Sequence, residues 1–206
     1  MKKLTILACV ALVLIISAFA VTTINFNQSG YEVGDTASNF ALKNVDDNIV
    51  SLDNYKDSKG FIIAFTCNTC PFSVANEDRL IALNEKYKDS YPVIAINPND
   101  PEAKDGESFS EMQKRARDKK FPFPYLFEGE EKIHRTYGAI KTPHVYLLNK
   151  ENDALIVKYI GAIDDSARDA ASVDEKFLED AVNSLLEGKP IQVTTTKAIG
   201  CSVKEN

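Results

Sequence analysis

The sequence predicts an α/β fold in which a central mixed β-sheet is flanked by helices. Three observations carry that prediction. Phe61-Ile62-Ile63-Ala64-Phe65 is a continuous apolar run of strand length, the pattern of a strand buried on both faces. Directly after it the spacing turns helical, with Phe72, Ala75, Leu80, Leu83 and Tyr87 filling one face. Strand and helix then alternate down the chain and close with two consecutive strands and a helix, an order that gives a mixed edge to the sheet.

The elements follow in order. Phe40 to Lys43 and Ile49 to Leu52 flank Asp46-Asp47-Asn48, a hairpin signal. The helical pattern after the central strand runs from about Cys67 to Lys88, with Pro71 acceptable in a first turn whose N–H groups have no intrahelical acceptor. Pro92 to Ile96 is a second buried strand, and 98–106 is a loop rich in Pro, Asp and Asn. Ser108 to Lys120 reads as a helix, Ser108 as N-cap and Glu111 as the partner of a capping box. Tyr125-Leu126-Phe127 is a short strand, and Glu130 to Tyr137 a short helix stopped by Gly138. His144 to Leu148 and Ile156 to Ile160 form a hairpin, and Val173 to Leu186 is a helix ended by Gly188 and Pro190.

At 206 residues the chain is expected to hold one domain with extensions. Residues 1–20 read as a signal peptide: Lys2 and Lys3, an apolar run from Leu4 to Phe19, and Ala18-Phe19-Ala20 as a cleavage pattern. An uncleaved membrane anchor is the alternative, since the run is near the lower limit for spanning a bilayer. A lipoprotein through Cys9 is disfavoured because apolar sequence continues well past it. Residues 21–35 are a polar lead-in, 36–188 the folded domain, and 189–206 a polar tail carrying Cys201. Export implies a periplasmic or other extracytoplasmic location.

The net charge of -6 argues against nucleic-acid partners. The basic run Lys114, Arg115, Arg117, Lys119, Lys120 is interleaved with Glu111 and Asp118 and reads as a solvated helix face.

The chemistry points to Cys67-Asn68-Thr69-Cys70. Two cysteines three apart at a helix start lie on one side and can close a disulfide with little backbone movement. The helix N-terminus favours a thiolate, the nucleophile of thiol–disulfide exchange. A structural bridge here closes too small a loop to stabilise much. Of the chain's cysteines, Cys9, Cys67, Cys70 and Cys201, removal of the signal leaves three, so one thiol is free, exchanging or paired with another molecule. Zinc needs four ligands, and Cys201, His134 and His144 show no ligand spacing. Copper(I) held by Cys67, Cys70 and His144 stays open, because soft thiolates suit it.

These residues resemble the thioredoxin-fold superfamily, and within it the exported peroxiredoxin-like redoxins of AhpC/TSA type. The matching stretches are Phe65-Thr66-Cys67-Asn68-Thr69-Cys70-Pro71, Ala95 to Asp100, Phe121 to Leu126, Tyr137-Gly138-Ala139, Thr142-Pro143-His144, Gly161 to Asp165 and the tail Ile199 to Lys204. The resemblance implies a thioredoxin-like fold with Cys67 attacking and Cys70 resolving. It implies that Pro143 is a cis-proline facing the dithiol, leaving the Thr142 backbone to pair with an extended substrate. Thr66, His144 and Cys201 are accessory candidates.

The chain departs from the wider pattern. Thr66 stands where thioredoxins often have Trp, and Asn68-Thr69 where they have Gly-Pro. The strand 61–65 lacks the buried acid common in thioredoxins, while Glu77 and Asp78 are expected to face solvent. Ala64 stands three residues before Cys67, where peroxiredoxins place Thr or Ser. The expected activity is thiol–disulfide exchange on protein thiols or disulfides, with a separate electron donor or acceptor and no organic cofactor or resident metal. Thiol peroxidase activity is the alternative and a Cu(I)-binding module the third. His134 is expected on a helix surface, and Cys201 either on a mobile tail or folded back to the dithiol.

Overall fold

The structure is a computed structural model that describes residues 30–206. The signal-peptide reading and Cys9 fall outside these residues, as does most of the lead-in. Strands β1 (Thr36–Ala37), β2 (Ala41–Asn44), β3 (Ile49–Ser51), β4 (Gly60–Phe65), β5 (Val93–Asn97), β6 (Tyr125–Phe127), β7 (Lys141–Thr142), β8 (His144–Glu151), β9 (Ala154–Gly161) and β10 (Cys201–Ser202) are joined by helices α1 (Pro71–Tyr87), α2 (Phe109–Lys119), α3 (Ile133–Tyr137) and α4 (Phe177–Leu186).

Eight strands form one sheet in the order β1-β9-β8-β4-β5-β6-β2-β3. The β4–β5 and β5–β6 pairs are parallel, and β4–β8 and β8–β9 antiparallel, so the sheet is mixed as the sequence predicts. β4 is the central strand, buried along its whole length. Its alternate residues feed two cores: Ile62 and Ala64 pack with Leu80, Leu83 and Leu178 on one face. Phe61, Ile63 and Phe65 pack with Phe40, Tyr137 and Tyr146 on the other. Each fully buried Ile or Phe of β4 is worth about 1.5–3 kcal/mol relative to exposure, which anchors the strand that ends at the dithiol.

Several boundaries differ from expectation for local reasons. α1 begins at Pro71, not Cys67. A residue that precedes proline is pushed out of helical backbone geometry, and Cys70 is extended at φ -70, ψ 122 as N-cap. The dithiol therefore sits on a turn before the helix. The 130–137 segment is interrupted at Lys132, whose φ of 50 is left-handed. α4 starts at Phe177, because Asp174 and Glu175 are drawn into hydrogen bonds with Asp165. Ser108 caps α2 by accepting from the Glu111 N–H, which is the Ser108 half of the expected capping box.

Residues 189–206 are docked along their length. Thr196 donates to the Ile160 carbonyl and bonds the Tyr159 hydroxyl. β10 pairs antiparallel with β7, Cys201 opposite Thr142 and Ser202 opposite Lys141. Val203 donates to Ile140, and Asp100 donates to the Lys204 carbonyl. Two more expectations are corrected. His134 is buried between Glu128 and Glu205, because the docked tail covers it. Glu77 is buried and held by Arg115 Nε and Nη2 at 2.6 and 2.8 Å, while Asp78 stays exposed.

Candidate functional site: a dithiol under the C-terminal strand

The turn between β4 and α1 and the strand β10 bring three reduced cysteines to one place. Cys67 and Cys70 are buried and Cys201 is half-buried. All three line a cavity of about 360 Å³, with Asn99, Lys104 and Lys204 at its edge. Thr66 follows the strand: its N–H donates to the Ile96 carbonyl and carries the contact with β5 up to Cys67.

Both thiols of the pair converge on one peptide. The Thr142–Pro143 bond is cis, as the resemblance implies. The Cys67 sulfur lies 3.1 Å from Thr142 Oγ1 and 3.6 Å from Ser73 Oγ. The Cys70 S–H donates to the Thr142 carbonyl at 3.2 Å.

The two thiols share a proton. Their mutual hydrogen bond, the largest influence on each, lowers Cys70 to about 4 and raises Cys67. Burial and the Glu107 charge raise Cys67 further, while the Thr142 and Ser73 hydroxyls pull it back. A low and a high titration step belong to such a pair as a whole. The single charge rests on Cys70 while Cys67 donates to it, so the pair holds a thiolate at neutral pH, the form that attacks disulfides. Transfer of the shared proton from Cys67 to Cys70 moves that charge to Cys67.

The expected helical setting is replaced by a carboxylate the sequence did not reveal. Glu107 is fully buried. Its oxygens accept from the Asn68 N–H at 3.0 Å, the Thr69 N–H at 2.9 Å, the Thr69 hydroxyl at 2.5 Å and the Asn97 amide at 2.9 Å. The Asn68 side chain also donates to the Gly106 carbonyl and accepts from the Tyr125 hydroxyl. The two residues between the cysteines are thus tied down from β5, β6 and the loop before α2. A buried acid does stand near the dithiol, but it enters from that loop and not from β4.

The remaining candidates divide. Thr142 touches both thiols, yet its backbone edge is covered by β10 and it is fully buried, where an open edge was expected. His144 lies one residue beyond Pro143, opposite Phe65 on β8. Its ring packs on Tyr146, with Nδ1 3.4 Å from the tyrosine hydroxyl, and burial pushes its pKa down to about 4, so it is neutral. No hydrogen bond joins it to either thiol among the described residues. Cys67, Cys70 and His144 do not form a three-ligand group there, and no other three His, Cys, Asp or Glu side chains among the described residues are arranged to hold a metal ion. Cys201 does fold back to the dithiol.

A buried thiol pair that ends a central strand, precedes a helix and faces a cis-proline defines a thioredoxin-fold redoxin. The chain belongs to the AhpC/TSA family, which it matches over residues 33–161. No curated protein matches it. Among solved structures it is similar to an uncharacterized conserved protein from Geobacillus kaustophilus, at 34% identity and a TM-score of 0.78, covering 85% of this chain and 93% of that one. A hypothetical protein from Sinorhizobium meliloti is 29% identical with a TM-score of 0.78, covering 86% and 96%. A putative thiol:disulfide interchange protein DsbE from Chlorobium tepidum shares the fold at 20% identity and a TM-score of 0.59, covering 76% and 99%.

Proposed function

We propose that this chain is an extracytoplasmic thiol–disulfide oxidoreductase that works through Cys67 and Cys70. The observation that carries the reading is the convergence of both sulfurs on the Thr142–Pro143 peptide, Cys67 on the hydroxyl at 3.1 Å and Cys70 on the carbonyl at 3.2 Å. In the exchange, the Cys67 thiolate attacks a substrate disulfide. One substrate sulfur leaves as thiolate and a mixed disulfide forms. Cys70, deprotonated, then attacks the Cys67 sulfur, which releases the second substrate thiolate and leaves a Cys67–Cys70 disulfide. A separate dithiol donor returns the site to the reduced state, and running the steps in reverse oxidises substrates. Thr142 and Pro143 form the binding edge, reached by an extended protein segment once β10 moves aside. Residues 1–20 direct the protein out of the cytoplasm, and where they stay uncleaved they tether it to the membrane. The folded domain spans residues 36–188.

The test is catalysed reduction of insulin disulfides with dithiothreitol as donor. The wild-type chain accelerates it and Cys67→Ser falls to the uncatalysed rate. Undiminished activity in Cys67→Ser rejects the mechanism. The AhpC/TSA family membership favours a second reading, a thiol peroxidase. Ala64 lies three residues before Cys67 and supplies no hydroxyl there. The peroxidase reading predicts rapid loss of the Cys67 thiol with hydrogen peroxide and little reaction with insulin.

A further inference from the structure

The C-terminal strand occupies the place a substrate strand would take. β10 pairs with β7 so that Cys201 faces Thr142, the residue both dithiol sulfurs contact. The approach is as close as backbone permits: a Cβ on Gly200 would come within 2.1 Å of the Thr142 carbonyl oxygen and 3.1 Å of the Pro143 nitrogen. Only glycine fits there, so residue 200 is shaped to lay the next residue over the dithiol. Cys201 then shares the cavity with Cys67 and Cys70. Of the two it acts on Cys70, whose thiolate its side chain and backbone both stabilise. Burial first and then the Cys70 hydrogen bond and charge push Cys201 up to about 11, against the pull of Lys204 and Arg168. That Cys70 charge vanishes once Cys70 is in a disulfide, which is when a Cys201 thiolate is useful.

Resting on the exchange chemistry proposed above, we infer that Cys201 is a third exchanging thiol, an internal substrate held against Cys70 by the C-terminal strand. When Cys67 and Cys70 are joined, the Cys201 thiolate attacks the Cys70 sulfur. A Cys70–Cys201 bond forms, the Cys67–Cys70 bond breaks, and Cys67 leaves as thiolate. No net oxidation or reduction occurs and no further reagent is needed. The oxidised protein thereby regains a free Cys67, and its disulfide moves toward the surface, where a partner dithiol can reach Cys201.

The experiment maps disulfides in the full chain after one equivalent of diamide, alkylation and peptide mass analysis. In Cys67→Ser the expected product is an intrachain Cys70–Cys201 disulfide, in a yield that does not change with protein concentration. Adding Gly200→Ala slows its formation severalfold. In the wild-type chain, which keeps every thiol, a population with Cys70 linked to Cys201 and Cys67 alkylated is expected. Recovery of Cys70 and Cys201 as alkylated thiols or only in intermolecular dimers in Cys67→Ser, together with only a Cys67–Cys70 disulfide and an alkylated Cys201 in the wild-type chain, overturns the inference. Insulin reduction by the wild-type chain separates the two claims. Activity without the Cys70–Cys201 bond removes only the third thiol, and the bond without activity removes only the exchange reading.

Discussion

The dithiol turn and the C-terminal strand meet at the same peptide, Thr142–Pro143, but different physics holds them there. The turn is fixed by a buried carboxylate: Glu107 takes four hydrogen bonds, two of them from the backbone between the cysteines. Charge-assisted bonds of this kind are roughly twice as strong as neutral ones. The strand is fixed by backbone pairing of largely exposed residues and by surface contacts such as Lys141 with Ser202 and Arg135 with Glu205. Backbone hydrogen bonds contribute a net of about 0.5–1.5 kcal/mol each, and exposed ion pairs about 0–1 kcal/mol. The difference teaches that the site has a rigid half, which sets the thiol chemistry, and a replaceable half. Neither Cys201 nor Ser202 belongs to the cores on either face of β4.

The comparison breaks most sharply at Glu107. Glu107→Ala orphans the Asn68 and Thr69 N–H groups, and each buried unsatisfied donor costs about 1–3 kcal/mol. Urea unfolding is expected to show a loss of several kcal/mol, with slower insulin reduction. A loss no larger than that of an exposed substitution would show that the turn is held otherwise. A smaller effect is expected at the thiol pair. Alkylation of one thiol by iodoacetamide should persist to a pH well below the free-cysteine value of about 8.5, since the pair's low step lies near 4. A single midpoint near 8.5 would mean that the sulfurs do not share a proton.

Gly200→Ala sharpens the other side. It should expose Cys201 to alkylation severalfold faster while leaving the urea midpoint within the range of a surface substitution. A large stability loss would mean that the strand belongs to the core. The smallest effect is expected at His134. Burial opposes its charge, but Glu128 and then Glu205 outweigh that, so its folded pKa is raised. A raised pKa gives stability that is fully present below the unfolded value of about 6.5 and is lost as pH rises through the folded one. The stability gap between wild type and His134→Gln should therefore shrink as pH climbs through and beyond neutrality. A gap that widens instead would reverse the sign of the His134 contribution.

What was legible in the sequence follows the same division. The central strand, the hairpins and the dithiol are contiguous patterns, and Pro71 alone dictates that Cys70 precedes the helix. Glu107 was hidden because its partners Asn68, Thr69 and Asn97 lie on separate segments, and a lone acid in a loop has no spacing to read. The tail was hidden because it docks by backbone pairing, which leaves no apolar periodicity. Its one trace is the pair Gly200-Cys201, meaningful only once Thr142 is known to lie beneath it. His134 and Glu77 were misplaced for a related reason: a charged residue on a helix reads as exposed until the partner that buries it, Glu205 or Arg115, is in view.

The central claim is that Cys67 attacks and Cys70 resolves, and trapping tests it most directly. The Cys70→Ser, Cys201→Ser double variant, mixed with insulin, has no second thiol among the described residues to resolve the intermediate. A stable mixed disulfide through Cys67 is predicted. Absence of that species, together with a mixed disulfide through Cys70 in the Cys67→Ser, Cys201→Ser variant, would contradict it and assign the attack to Cys70.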